Sequence, residues 1–371
     1  MTNLTAKIDS NRAEFSPARE RAAILAVAPA MPANYVDQPT LAARLRRLWA
    51  DRKPLLRRFD DLQSAVMVEG RHIALPMSEY EPLDTFAKRN RRWREIAAEL
   101  GCAAVRDALA QAGVSPAEVD HFLFTTDTGI STPNIEALVI NRLGINSRTK
   151  RTPLFGLGCA GGAGGIARAS DYLAASPEQI AVLLSVELCS LTFQRNDLSV
   201  ANLIAAALFG DGAAAVVIGG AARARQGAPR IVTSSSVFYS DTEDLSGWEI
   251  VDDGFKIILS TKIPEVTLQH VARDVDALLG SAGIERSQVT HWITHTGGPK
   301  VLSAIEAALE LPPDALQRSR RILARAGNVS STSILLVLDD LLRSGEPQPG
   351  DFGVMIVVGP GFCSELVLLQ W

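Results

Sequence analysis

Two segments of the chain, 170 residues apart, repeat one another. AGVSPAEVDHFLFTTDTG (residues 112–129) lies against AGIERSQVTHWITHTGG (282–298), with Val119 on Val289, His121 on His291, Leu123 on Ile293 and Thr125 on His295. Each copy reads as a helix end, a glycine turn and a buried strand running into a Thr/Gly-rich loop. The same offset sets the turn FGLGCAGG around Cys159 against ARAGNVSS, within a residue of Asn328. The halves close on similar strands, DGAAAVVIGG (211–220) and DFGVMIVVGPG (351–361), where the offset falls to 141. That drop predicts extra residues in the first half, near 188–209. A duplication of this kind predicts two α/β units whose long apolar strands are buried between helices. Equivalent loops of a duplicate converge on its pseudo-twofold axis, so the Cys159 turn, the His295 loop and the Asn328 loop are expected to meet.

Composition fits that plan and narrows the function. With 371 residues, of which 47% are hydrophobic, the chain buries one large core or two fused ones. A net charge of −4 argues against nucleic acid as a partner. The early apolar run AAILAVAPAM is too short for a membrane span and contains proline. Cys102, Cys159, Cys189 and Cys363 are far apart and form no CxxC pair, so neither a metal site nor a disulfide framework is indicated. A cytoplasmic location is expected. One local exception to the acidic balance is LAARLRRLWADRKPLLRR (41–58), with seven basic residues among them Arg46, Arg47 and Lys53. It reads either as a solvated helix face or as a cationic site for a phosphorylated ligand. A second basic run, KRNRRWR (88–94), reads as solvated surface opening a helix that ends at Gly113.

The repeat brings chemistry to Cys159. On its own it sits where an apolar strand turns into an Ala/Gly-rich helix, and the ordinary reading of a lone cysteine there is a buried structural one. A helix N-terminus also favours thiolate over thiol. Five glycines in residues 158–165 let backbone or substrate approach the sulfur. His295, at a strand end before Gly-Gly-Pro, is expected to pair with Cys159 and hold it as thiolate. Asn328, by itself an ordinary helix cap, joins His295 as a second donor to one carbonyl oxygen. A thiolate with two donors and no metal suits acyl transfer followed by carbon–carbon bond formation. The cysteine accepts an acyl group from a thioester, and the donors stabilise the enolate formed when a malonyl thioester loses carbon dioxide.

From about Ile24 to Trp371 the chain resembles the type III polyketide synthases, the chalcone and stilbene synthase group. The motifs that carry the resemblance are GLGCAGG around Cys159, ALFGDGAAAVV around Phe209, WITHTGGPKVL around His295, RAGNVSS around Asn328 and the terminal Gly359-Pro360-Gly361. The resemblance implies an α/β, thiolase-like, five-layered αβαβα fold, with an extension over 1–22, a half carrying the nucleophile over 23–222 and a half carrying His and Asn over 223–371. It implies a homodimer, each subunit with its own Cys159, His295 and Asn328, working without cofactor on malonyl-CoA and an acyl-CoA starter, the starter arriving alternatively on an acyl carrier protein. Phe209 is implied at the cavity mouth, Arg46, Arg47 and Lys53 at the coenzyme A site, and Cys189, Thr192, Thr132, Ile257 and Trp248, with the Gly359–Gly361 turn, in the pocket. Cys189, Ile257 and Thr132 depart from the plant pattern, and Trp248 stands where plant enzymes have a small residue. FGLGCAGGAGG and LLSVELCSLTFQ are similar to bacterial enzymes making alkylpyrones and alkylresorcinols, which implies a fatty acyl starter.

Three alternatives stand beside this reading. A ketoacyl synthase of the type III fatty-acid class shares fold and triad, but follows its histidine with Gln-Ala-Asn, where His295 is followed by Thr-Gly-Gly-Pro. A papain-like cysteine hydrolase has Cys, His and Asn in this order but a CGSCW-type sequence that is missing here. A non-catalytic acyl-binding relative has no use for the retained triad.

Overall fold

The computed structural model describes residues 21–50 and 53–371, with side chains of residues 51–58 outside the description. The first half opens with strand β1 (Ala23–Ala30), β2 (Asn34–Asp37), helices α1 (Gln38–Leu48) and α2 (Lys53–Ala65), and β3 (Gly70–Ile73). It continues through α3 (Phe86–Ala112), β4 (Val119–Thr125), α4 (Ile135–Leu143), β5 (Lys150–Leu154), α5 (Gly161–Ala174), β6 (Ile180–Leu188), α6 (Val200–Leu208) and β7 (Asp211–Gly219). The second half contains β8 (Arg230–Phe238), the hairpin β9 (Ser246–Val251) and β10 (Gly254–Leu259), then α7 (Ile263–Ser281), β11 (Val289–Thr294) and α8 (Pro299–Leu309). It ends with α9 (Gln317–Ala326), α10 (Ser333–Ser344), β12 (Phe352–Gly359) and β13 (Cys363–Gln370).

Nine strands join in the order β11-β12-β13-β8-β1-β7-β6-β4-β5. The two wings of this sheet have the same internal pairing. β1 is antiparallel to β7, β7 antiparallel to β6, and β6 parallel to β4. In the other wing β8 is antiparallel to β13, β13 antiparallel to β12, and β12 parallel to β11. The wings meet where Ala23 faces Arg230. This pairing corrects the closing alignment read from sequence: β12 corresponds to β6, and the counterpart of β7 is β13. The register agrees, with His121 opposite Ala181 in one wing and His291 opposite Gly353 in the other. The misleading similarity arose because fully buried strands share a composition of Val, Ile, Ala and Gly whatever their place in the sheet. Extra residues do occur in the first half, as expected: residues 189–210 join β6 to β7, where residues 360–362 join β12 to β13.

Alternation along the strands sorts side chains into layers. In β6, Ala181 and Leu183 enter a central core, whereas Val182, Leu184 and Val186 pack outward with Trp93 and Val105 of α3 and Val139 of α4. In β12, Met355 and Val357 enter the same central core, whereas Val354, Ile356 and Val358 pack with Val271 of α7 and Leu302 of α8. Helices α5 and α10 fill the centre through Ile166, Leu335 and Val337. The order is therefore αβαβα. Each fully buried Leu or Val in these layers contributes about 2 kcal/mol.

Close approach at the centre requires glycine. A Cβ on Gly162 would stand 2.3 Å from the Ser331 carbonyl oxygen, and one on Gly161 2.2 Å from Thr125 Oγ1. The space left by these glycines is occupied by Thr125 of the same half and Ser331 of the other rather than by substrate. The expectation of close backbone approach holds, and that of open room for a ligand is corrected.

Candidate active site

Each central helix begins after a single 3₁₀ turn, Gly158–Ala160 before α5 and Ser330–Thr332 before α10. Cys159 is the middle residue of the first turn. Gly158 has φ +50°, and a Cβ there would lie 2.5 Å from Pro360 Cγ and 3.0 Å from Asp127 Oδ2. Gly359 is equally close, 2.8 Å from the Ala160 nitrogen on the same measure. Gly359 and Pro360 thus press on the nucleophile turn, while Gly361 faces Phe238.

The three loops expected to converge are joined by hydrogen bonds. Cys159 Sγ lies 3.6 Å from Ser330 Oγ, and the Ser330 N–H donates to Asn328 Oδ1 at 2.8 Å. Asn328 forms a parallel bridge with Phe209: its N–H donates to Leu208 O, and Gly210 N–H donates to Asn328 O, both at 2.9 Å. His295 leaves β11 with its N–H on Ile356 O at 3.0 Å. The next residue ties this loop to that of Asn328, Thr296 Oγ1 lying 3.3 Å from Gly327 O and 2.9 Å from Ser333 Oγ.

Burial dictates the charge state of these groups. His295 and Asn328 are each only 3% exposed. Desolvation pushes His295 down to about 3, and its Nδ1 is buried without a hydrogen-bond partner. The Cys159 thiol is raised well above its usual range, by burial first and then by the negative charge of Asp127, with the Ser330 hydrogen bond opposing. Burial by itself thus favours the uncharged forms of both Cys159 and His295. The helix N-terminus opposes that burial by about 1 kcal/mol.

The Asp127 carboxylate, with its neighbour Glu187, was missed in the sequence. Asp127 Oδ1 accepts from Ser330 Oγ at 3.3 Å and Oδ2 from Trp248 Nε1 at 3.1 Å. Glu187 Oε2 accepts from the Asp127 N–H at 3.2 Å and from Thr128 Oγ1 at 2.9 Å, and Oε1 accepts from Ser331 Oγ. One signal was available. Glu187 is the single charged residue in the fully buried strand IAVLLSVEL, apolar but for Ser185, and a charge in such a run needs partners.

A cavity of about 140 Å³ lies against Trp248 and Phe209. Cys189, Thr192, Phe209, Trp248 and Ile257 line it, five of the expected pocket residues. Trp248 and Ile257 face each other across the β9–β10 hairpin, and Thr192 Oγ1 donates to Cys189 O at 2.8 Å. Thr132 is not among the lining residues; within this chain it is exposed. The basic residues that line this cavity are not those expected at the coenzyme A site. Arg44 and Arg195 line the cavity, whereas Arg46 is paired with Asp60 at 2.7 Å and Arg47 is exposed. Helical spacing explains the difference for Arg46: Arg44 shares a face with Leu41, Leu45 and Leu48, Arg46 lies on the far side of the helix, and Arg47, three residues on from Arg44, lies at the edge of that face. Lys53 opens α2, and its side chain lies outside the described residues.

Residues 9–222 match the family profile for the chalcone and stilbene synthase N-terminal domain, and residues 230–371 that for the C-terminal domain. The chain belongs to the chalcone and stilbene synthase family. It is a type III polyketide synthase, an acyltransferase with the thiolase-like fold. It is 44% identical over 354 residues to a 1,3,6,8-tetrahydroxynaphthalene synthase of Streptomyces peucetius subsp. caesius, covering 94% of this chain and 93% of the relative. A putative chalcone synthase of Bacillus subtilis (strain 168) is 36% identical, with 94% and 98% covered. The crystal structure of 1,3,6,8-tetrahydroxynaphthalene synthase from Streptomyces coelicolor A3(2) superposes with a TM-score of 0.89 at 30% identity, covering 94% of this chain and 99% of that one. Membership separates the chain from the ketoacyl synthase and cysteine hydrolase alternatives. No helix among the described residues is long and apolar enough to cross a membrane.

Proposed function

We propose that Cys159, His295 and Asn328 carry out the synthase's condensation on coenzyme A thioesters. Cys159 accepts the acyl group. His295 and Asn328 donate hydrogen bonds to the malonyl thioester oxygen as carbon dioxide leaves, and the resulting enolate attacks the acyl-cysteine. A neutral imidazole suits this donor role, since it keeps an N–H without adding a buried positive charge. The observation that carries the assignment is the hydrogen-bonded chain from Cys159 through Ser330 to Asn328, with Thr296 fastening the His295 loop to it. No separate cofactor enters this chemistry.

The starter is malonyl-CoA itself in this reading. Trp248, held by Asp127, puts a large ring between the nucleophile turn and the cavity, which favours a small first acyl group. The likeness to tetrahydroxynaphthalene synthases supports the same choice, because such a skeleton can be assembled entirely from two-carbon malonyl units. A fatty acyl starter is the second reading, favoured by the apolar cavity wall of Leu41, Leu45, Leu48 and Phe193. Arg44 and Arg195 would meet the coenzyme A phosphates at that mouth. A homodimer in the cytoplasm completes the proposal, with Thr132 near the contact. Ile130 and Phe155, which are 49% and 58% exposed, supply apolar surface to cover.

Incubation with malonyl-CoA alone, read by mass spectrometry, tests the starter. An aromatic product from malonyl-CoA alone supports the first reading, and turnover only after addition of long-chain acyl-CoA supports the second. Release of a linear product after one condensation contradicts iterative synthesis.

A further inference from the structure

The turn that presses on the nucleophile, residues 360–362, is only three residues long and has little of its own to hold it there. Residues 239–245, which join β8 to β9, supply the grip. The Tyr239 N–H donates to Phe362 O at 2.9 Å, and the Phe362 N–H donates to Thr242 Oγ1 at 2.8 Å. Both backbone groups of Phe362 are thus fixed by one loop. Cys363 Sγ closes the other side of the turn, donating to Pro360 O at 3.3 Å. Side chains pack the same contact, since Tyr239, Leu245 and Phe362 are all buried in the outer core with Val271 of α7.

Thr242 is the junction of this arrangement. Its one hydroxyl proton goes to Tyr239 O at 2.6 Å, which leaves the oxygen to accept from Phe362. On the other side the Thr242 carbonyl accepts from the Leu245 N–H at 3.1 Å, and Leu245 O accepts from the Ser260 N–H at 2.8 Å, which clamps the open end of the β9–β10 hairpin. From that end the hairpin runs through the Ser246–Leu259 pair to the Trp248–Ile257 pair, whose two members line the cavity. One threonine therefore ties the turn beside Cys159 to a wall of the cavity. The loop is anchored in turn on α7, where Asp274, 2% exposed, accepts from the Tyr239 hydroxyl, from Ser364 Oγ at 3.1 Å and from Arg273 Nη2 at 2.8 Å.

We infer that Thr242 is a positioning residue that sets the spacing between the nucleophile turn and the Trp248–Ile257 wall, and through it the length to which the enzyme-bound chain grows before release. Thr242 is not itself among the residues lining the cavity, so it acts through the two elements it joins. The chain on Cys159 gains two carbons at each condensation and has to fit between these boundaries. Displacement of either boundary by about 1 Å changes which atoms of the chain can meet. The hydroxyl is what couples them, because without it the Phe362 N–H loses its acceptor and the turn loses one of its two holds.

The inference rests on Cys159 carrying the chain, and the test separates the two. Full-length wild-type, Thr242→Val, Thr242→Ser and Tyr239→Phe enzymes are incubated with malonyl-CoA, alone and with a long-chain acyl-CoA, and the products are resolved by mass spectrometry. Thr242→Val keeps the shape of the side chain without its hydroxyl. It should raise the ratio of prematurely released chains to full-length product about fivefold, whereas Thr242→Ser, which keeps the hydroxyl, retains the wild-type ratio. Tyr239→Phe, which removes only the anchor on Asp274, should move the ratio in the same direction by about twofold. A purely structural role lowers the amount of active enzyme and leaves the ratio unchanged. Folded Thr242→Val or Tyr239→Phe enzyme with the wild-type ratio overturns the inference, as does a Thr242→Ser profile that matches Thr242→Val. Peptide mass spectrometry of quenched wild-type samples decides the underlying reading, and turnover without acyl adducts on Cys159 overturns that reading instead.

Discussion

The paired turns that lead into the central helices show how a duplicated fold becomes an enzyme. Gly158–Ala160 and Ser330–Thr332 are equivalent 3₁₀ turns on equivalent helices. The first presents a thiol, and the second presents a hydroxyl to that thiol while fixing Asn328. Around them the halves diverge. β6 and β7 are joined by residues 189–210, which build one wall of the cavity, whereas β12 and β13 are joined by a three-residue turn pressed on the nucleophile. Symmetry supplies the meeting point, and the departures from symmetry supply the chemistry.

Removing the close contact between the halves should have the largest effect. Gly162→Ala forces a methyl group against the Ser331 carbonyl and should cost about 3 kcal/mol, read as a lower urea midpoint; an unchanged midpoint would mean the central helices have slack. Next comes the division of labour between the turns. Asn328→Ala should slow malonyl-CoA decarboxylation by about a hundredfold while leaving iodoacetamide alkylation of Cys159 within a few-fold, whereas equal loss of both would merge the two roles.

Acid should expose the buried histidine. Because its folded-state pKa lies below the unfolded value near 6.5, His295 contributes stability above that value which is lost as pH falls toward about 3. Between pH 6.5 and 5 the loss from this group is about 2 kcal/mol. Urea unfolding of His295→Gln should show a correspondingly flatter dependence on pH, and an equal slope would place the histidine in contact with water. Smallest is the contrast on α1. Arg44→Ala should raise KM for the thioester about fivefold, and Arg46→Ala, which removes a surface pair with Asp60, should change it little. Reversed effects would restore the sequence-based assignment of Arg46.

Sequence carried far enough to bring Cys159, His295 and Asn328 together because one repeat, anchored on Val119 and Val289, places equivalent loops at one axis. It misjudged the closing strands, since interior strands such as β7 and β12 differ less in composition than in neighbours. For the coenzyme A site it singled out Arg46, Arg47 and Lys53, whereas the α1 arginine that lines the cavity is Arg44, on the side of the apolar stripe Leu41, Leu45, Leu48. Asp127 was illegible: an aspartate in TTDTG reads as a turn residue, and its role depends on Ser330 and Trp248, 203 and 121 residues away. The glycines after Cys159 were legible as a need for space, but the occupant, Ser331 of the other half, was not.

Everything proposed for the site depends on Cys159 being the residue that carries the growing chain. Rapidly quenched turnover with malonyl-CoA, followed by peptide mass spectrometry, tests it directly. It should find acyl adducts on the peptide containing Cys159, and Cys159→Ala should carry none and make no product. Adducts on Cys189 instead, or continued product formation by Cys159→Ala, would contradict it.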